Sequence, residues 1–128
     1  MNIILWTTTL LGLLNLPQQS YHVGRATYYH PGLMARVARH RGLGLGWAQS
    51  YGTNPDCHLI GRYEWTSLWD PVLQRWDSWT SRRIVDCSQP WDLARHLREG
   101  LIEVPYQDAV AAHFVGEGRT QVRWKLAP

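Results

Sequence analysis

Lysine and phenylalanine are nearly absent from this chain: of its 13 Lys and Arg residues only Lys125 is a lysine, and Phe114 is the one phenylalanine. The arginines are dispersed from Arg25 to Arg123. Without a basic run there is no arm or stripe of the kind that tracks a phosphate backbone, so nucleic acid is not an expected partner. Cysteine is equally scarce. Cys57 and Cys87 stand in no Cys-x-x-Cys or metal-ligand spacing, and no two histidines share a spacing that suggests a metal pair. That argues against structural zinc, and no metal or other cofactor is expected. The glycines of "GLGLG" (42–46) follow no strand of a βαβ unit and lack the Lys-Ser/Thr of a phosphate loop, which makes a nucleotide reading poor. No segment repeats or is compositionally biased, so one domain with one small core is expected.

The aromatic area comes instead from eight Trp and six Tyr. Each carries a polar handle and suits a surface that is apolar on one side and wet on the other. Most of these rings are expected to fill a small core, and an exposed subset would suit a carbohydrate. A formal net charge of +3 gives a weak attraction to anionic polymers such as a cell wall. At the start, "MNIILWTTTLLGLLNLPQQS" is apolar from Ile3 to Leu16 and has no charge before Tyr21. The run is short for a membrane span and reads as an export signal. It lacks a basic flank and a clear small-x-small cleavage site, so an uncleaved anchor and a buried first element stay open. In an oxidising compartment Cys57 and Cys87 would form a disulfide; in the cytosol they would be two separate buried thiols.

Along the rest of the chain, residues 23–32 are β-prone and stop at His30-Pro31-Gly32. Leu33, Met34, Val37 and Ala38 recur at helical spacing up to Gly42. Two further strands are predicted at 57–68 and 81–87, joined by a loop that turns at Asp70-Pro71. Ser88 is the expected N-cap of a helix over 89–99, closed by Gly100. A strand at 101–106 is ended by Pro105, a short helix follows at 107–114, and residues 120–126 alternate as a last strand. Short strands alternating with brief helices point to a mainly β chain, a small barrel with helical insertions.

The order of these pieces resembles the double-psi β-barrel domains of rare lipoprotein A, barwin and expansin. The opening motif is "GRATYY" (24–29), followed by "IVDC" (84–87), "IEV" (102–104), "YQDAVAAHF" (106–114) and "VRW" (122–124). Together they span nearly all of residues 21–128, with residues 1–20 left as the signal or anchor. The sequence departs from rare lipoprotein A where "DCSQPWDLARHL" replaces the usual continuation after the central Asp, and where Glu103 replaces an Asp. The resemblance implies a six-stranded double-psi barrel with short helical insertions, secreted or in the cell envelope, monomeric, with no membrane span after removal of the signal. Its implied partner is a polysaccharide, peptidoglycan first, which it would cleave or loosen.

The same resemblance implies the site. Asp86 would be the general acid, with Glu103 and Tyr29 as helpers, since protonation of a glycosidic oxygen needs a carboxylic acid of raised pKa. Tyr28 and His30 would stand beside them, and Trp65, Trp69 and Trp76 would stack on sugar rings. The bland alternatives are equally concrete. Asp86 could cap the helix after Ser88 or pair with Arg25 or Arg83, Glu103 could face outward on an ordinary strand, and His30 could be a turn residue. The whole barrel could be a non-catalytic carbohydrate-binding or structural module of a surface or virion assembly.

Overall fold

A computed structural model of the protein describes residues 20–128. The export-signal expectation therefore lies almost wholly outside the described residues. The chain runs β1 (His22–Tyr28), α1 (Leu33–His40), β2 (Ser50–Thr53), a 3-10 turn (Cys57–Leu59), β3 (Tyr63–Asp70), β4 (Arg75–Trp76), β5 (Thr80–Asp86), α2 (Leu93–Glu99), β6 (Ile102–Val104), α3 (Tyr106–Ala111) and β7 (Thr120–Leu126). The main strands lie in the order β2-β5-β3-β7-β1-β6, with β4 as a short hairpin arm on β3. Two pairs are parallel, β1 with β6 and β2 with β5. The ends of this order come back together where the Glu103 backbone N–H donates to Thr53 Oγ1 at 2.9 Å. The result is a nearly closed, barrel-like sheet of six strands carrying a few short helices, the mainly β class expected from the sequence. Exchanging β1, β2 and β3 with β5, β6 and β7 maps the strand order and both parallel pairs onto themselves. The two halves are wound alike.

Several boundaries differ from the sequence reading for physical reasons. Residues 57–62 form a 3-10 turn and bend instead of a strand, because Asp56 accepts the His58 backbone N–H at 2.9 Å and nucleates the turn. Strand β3 consequently starts later and runs on to Asp70, whose carboxylate accepts the Val72 and Leu73 N–H groups and fixes the turn. Ser88 does not cap α2. Residues 89–92 make their own turn, Asp92 takes the N-cap place, and the Ser88 hydroxyl meets His96 Nδ1 at 2.6 Å. Gly100 does stop the helix, in the left-handed conformation that favours glycine. Strand β2 is an addition: nothing in "SYGT" alternates in hydrophobicity.

The apolar core is compact. Phe114 is buried at its centre with Leu68, Ile102, Val104 and Val122, and Tyr28 and Trp124 pack against it. A second cluster of Met34, Ala38 and Val85 seats α1 on β5. Between the clusters the interior is polar. Glu64 and Arg82 are cross-strand partners on β3 and β5, 0% and 2% exposed. Gly52 makes room for them: a Cβ there would lie 2.8 Å from both Glu64 Oε2 and Arg82 Cδ. Arg82 donates to Thr66 Oγ1 (2.7 Å), to the Tyr51 carbonyl (3.0 Å) and to Asp108. Glu64 is less well served. Its Oε1 accepts from Asn54 at 3.3 Å, and its Oε2 has no partner among the described residues. Burial pushes the carboxyl up to about 8, against the smaller opposing pull of Asn54 and Arg82.

The Cys57–Cys87 disulfide, with Cα atoms 4.9 Å apart, ties the 3-10 turn to the end of β5. Among the described residues no helix is long and apolar enough to cross a membrane.

Two outcomes are expected. The folded-state pKa of Glu64 lies above its unfolded value of 4.5, so the fold favours the protonated acid. Its contribution is complete below pH 4.5 and is lost as pH rises toward about 8. Glu64→Gln should flatten that decline, a difference on the order of a few kcal/mol between denaturant titrations at pH 5 and pH 8. An identical pH profile in the variant would contradict it. Reducing the disulfide should lower stability by about 2–4 kcal/mol, read as a fall in thermal midpoint, because the unfolded chain regains the entropy of an open loop.

Candidate functional site

Three strand ends converge at one point of the barrel. Thr27 on β1 is in register with Glu103 on β6, and the Tyr29 N–H continues that ladder to the Val104 carbonyl at 3.0 Å. On the other side, β2 and β5 slip register between Gly52 and Thr53, so Thr53 faces Asp86. A slip of this kind re-aims a side chain at the rim of a sheet. Arg82, Ile84 and Asp86 follow one another along β5, with the slip between the last two. The first two are sealed, and Asp86 emerges with its side chain 23% exposed.

Three donors hold the Asp86 carboxylate. Tyr29 donates its hydroxyl to Oδ2 at 2.6 Å, and Arg41 Nη2 and the Cys87 backbone N–H donate to Oδ1 at 3.0 Å each. The tyrosine is raised well above its ordinary pKa, first by burial and then by its bond to Asp86, with the charges of Glu103 and Asp86 adding to the effect and Arg41 opposing it. It therefore acts here as a fixed hydrogen-bond donor. Glu103 is half-buried, and burial raises its pKa; the Thr27 hydroxyl pulls the other way, and the charge of Asp86 adds a smaller push. Glu103 and Asp86 thus lie within electrostatic reach of one another, and Glu103 does not wall the cavity onto which Asp86 opens.

Asp86 faces an open cavity of about 490 Å³ walled by Arg36, Val37, His40, Arg41 and Gln89. Arg41 is the residue that sequence reasoning missed. The expected partners Arg25 and Arg83 are engaged elsewhere: Arg25 approaches Glu99 at 3.8 Å, and Arg83 donates to the Gly61 and Gly44 carbonyls and lies over the Tyr63 ring. The only signal for Arg41 was its place just past the C-terminus of α1, which points that end of the helix back at β5.

The other expected residues are not gathered here. Tyr28 donates its hydroxyl to the Val115 carbonyl at 3.1 Å and packs edge-on against Tyr106 and Phe114, a core role. His30 is exposed and lines a separate cleft. Trp65 packs beside Trp47, while Trp69 and Trp76 meet edge to face at 5.4 Å. Arg123 covers the Trp76 ring at 4.5 Å. Trp65 and Trp69 stand on β3 and Trp76 on β4, and none of the three lines the Asp86 cavity.

Among the described residues no three His, Cys, Asp or Glu side chains are placed to hold a metal. In comparisons with known proteins, no family model matches the chain and no curated protein does.

The Tyr29–Asp86 bond is short and partly shielded from water. A double-mutant cycle with Tyr29→Phe and Asp86→Asn should give a coupling energy of about 1–3 kcal/mol in unfolding free energy, since one partner is charged. Additive effects would show that the bond is not made in solution.

Proposed function

We propose that this is an exported barrel protein that acts on a cell-wall polysaccharide, peptidoglycan first, and that Glu103 and Asp86 are its working carboxyls. One observation carries the reading: Asp86, bonded to Tyr29 from far away in sequence, opens on a cavity, and Glu103 lies within electrostatic reach of both. These are the positions that the resemblance to rare lipoprotein A and the expansins assigns to a glycan groove. Export is supported by the apolar run at Ile3–Leu16 and by the Cys57–Cys87 bridge, which suits an oxidising compartment.

Burial of Glu103, which raises its pKa, suits it to the role of proton donor. Glu103 would give its proton to the glycosidic oxygen as the C–O bond breaks. Asp86, oriented by Tyr29 and Arg41, would face the positive charge that develops on the sugar ring and accept the proton of the attacking hydroxyl. In a lytic transglycosylase that hydroxyl is the sugar's own; in a hydrolase it is water. Tyr29 holds Asp86 in place and is a positioning residue.

A second reading is favoured by a different observation. Trp47 is 53% exposed and lies stacked on Tyr63 at a centroid distance of 4.3 Å, a flat ring surface suited to binding a glycan without cleaving it. Incubation with purified peptidoglycan and soluble glucans separates the two. Wild type should release soluble sugars, and Glu103→Gln and Asp86→Asn should each lower the rate by about 10²-fold or more. Retained binding with no release from wild type would leave the non-catalytic module as the function.

A further inference from the structure

Two cavities that hold neither Asp86 nor Glu103 meet at Gln49, Ser50 and Asp108. One, of about 370 Å³, runs between α1, β2 and α3 and is walled by Met34, Leu45, Tyr51 and Tyr106. The other, of about 230 Å³, opens between β2, β5 and α3 and reaches Asp77, Thr80 and Arg82. Gln49, Ser50 and Asp108 line both, so the two form one cleft with a polar waist.

That waist is a constructed feature. Arg82, buried to 2% exposure, donates Nη1 to Asp108 Oδ2, and the Ser50 hydroxyl donates to the same oxygen at 2.9 Å. Asp108 is thereby fixed, and its Oδ1 accepts no hydrogen bond among the described residues. Gln49 is fixed as well. Its Oε1 accepts the Ser81 N–H at 3.0 Å, and because that group can only donate, the amide orientation is determined and the NH2 is left as a donor to the cleft. Asp77 accepts the Leu68 N–H at Oδ1 (2.6 Å), and its Oδ2 is likewise open among the described residues. Burial raises the Asp77 pKa, and the nearby Asp108 and Asp70 charges add to this.

The chemistry of a ligand follows from this inventory. Two carboxyls against one guanidinium disfavour a carboxylate or phosphate. Open carboxylate oxygens call for several hydroxyl donors, and one amide donor calls for an acceptor. Tyr51, Tyr106 and the alkyl groups of Met34 and Leu45 offer an apolar wall beside them. A ring with hydroxyls on its edge and C–H groups on its faces has all of these features.

We propose that this cleft is a second, non-catalytic binding site for a neutral pyranose unit. The Asp108 and Asp77 oxygens accept from ring hydroxyls, and the Gln49 amide donates to a ring or acetamido oxygen. The proposal rests on the polysaccharide reading only for the class of ligand, since its geometry is independent of Asp86 and Glu103.

The test is an amide-shift titration of the full chain with chitotetraose and with cellotetraose. Saturable shifts are expected at Gln49, Ser50 and Gln107 with at least one of them. Asp108→Asn should weaken Kd roughly tenfold through loss of a charged acceptor. Leu45→Glu, at an exposed position on the cleft wall, should weaken it similarly without disturbing the core, and thermal unfolding of both variants confirms that they fold. Glu103→Gln should leave Kd within about twofold. Shifts confined to the surroundings of Asp86 and Glu103, Kd values unmoved by both cleft variants, or no saturable shift with either sugar would each overturn the proposal. A protein that binds here and releases no sugar from any glycan would instead overturn the catalytic reading and leave this site standing.

Discussion

A guanidinium sealed inside the barrel is the interaction on which the rest of the structure depends. Arg82 on β5 bonds to Thr66 on β3, to the Tyr51 carbonyl on β2 and to Asp108 on α3, so one side chain joins four elements. A buried charge is strongly destabilising unless it is paired and its N–H groups are satisfied. Each of those elements must therefore be in place for any of them to be stable. Strand β2, four residues long and without an apolar face of its own, is held by this requirement and by its ladder to β5. Gly52 follows from the same demand, since a side chain there would displace Arg82 or Glu64.

The strand that carries Arg82 also delivers Asp86. Arg82 and Ile84 are sealed inside, and the register slip against β2 falls between Ile84 and Asp86, so that Asp86 turns outward at the rim. Arg41 bonds to Asp86 from the end of α1, and α1 in turn is seated on Val85, the residue before Asp86 on the same strand.

Much of this was legible in the sequence where local chemistry decides the outcome. The last strand, the stop at Gly100, the break at Pro105 and the turn at Asp70-Pro71 each rest on one residue type doing one thing. The order of motifs singled out Tyr29 and Asp86, which a hydrogen bond joins. Strand β2 was not legible, because Ser50–Thr53 owes its conformation to partners thirty residues away. Nor was Arg41, one arginine among many, whose role is set by the angle at which α1 leaves the barrel. Tyr28 and the β3 tryptophans show the limit of composition: an aromatic residue on a strand fits a core, an outer ledge or a sugar platform equally well until its neighbours are known. The polar interior went unseen for a similar reason, since Glu64 and Arg82 each read as surface residues until their register on adjacent strands is fixed.

The like winding of the two halves has a consequence for how the chain comes to exist. Every ladder between the six main strands joins a member of β1–β3 to a member of β5–β7. As the chain is synthesised, the first half emerges with no main-strand partner and must stay unpaired until residues 80–126 follow it. Closing those long loops before any ladder forms slows folding and prolongs the exposure of unpaired strand edges. The nascent protein therefore passes through its most aggregation-prone stage while its first half is complete and its fold has not yet begun.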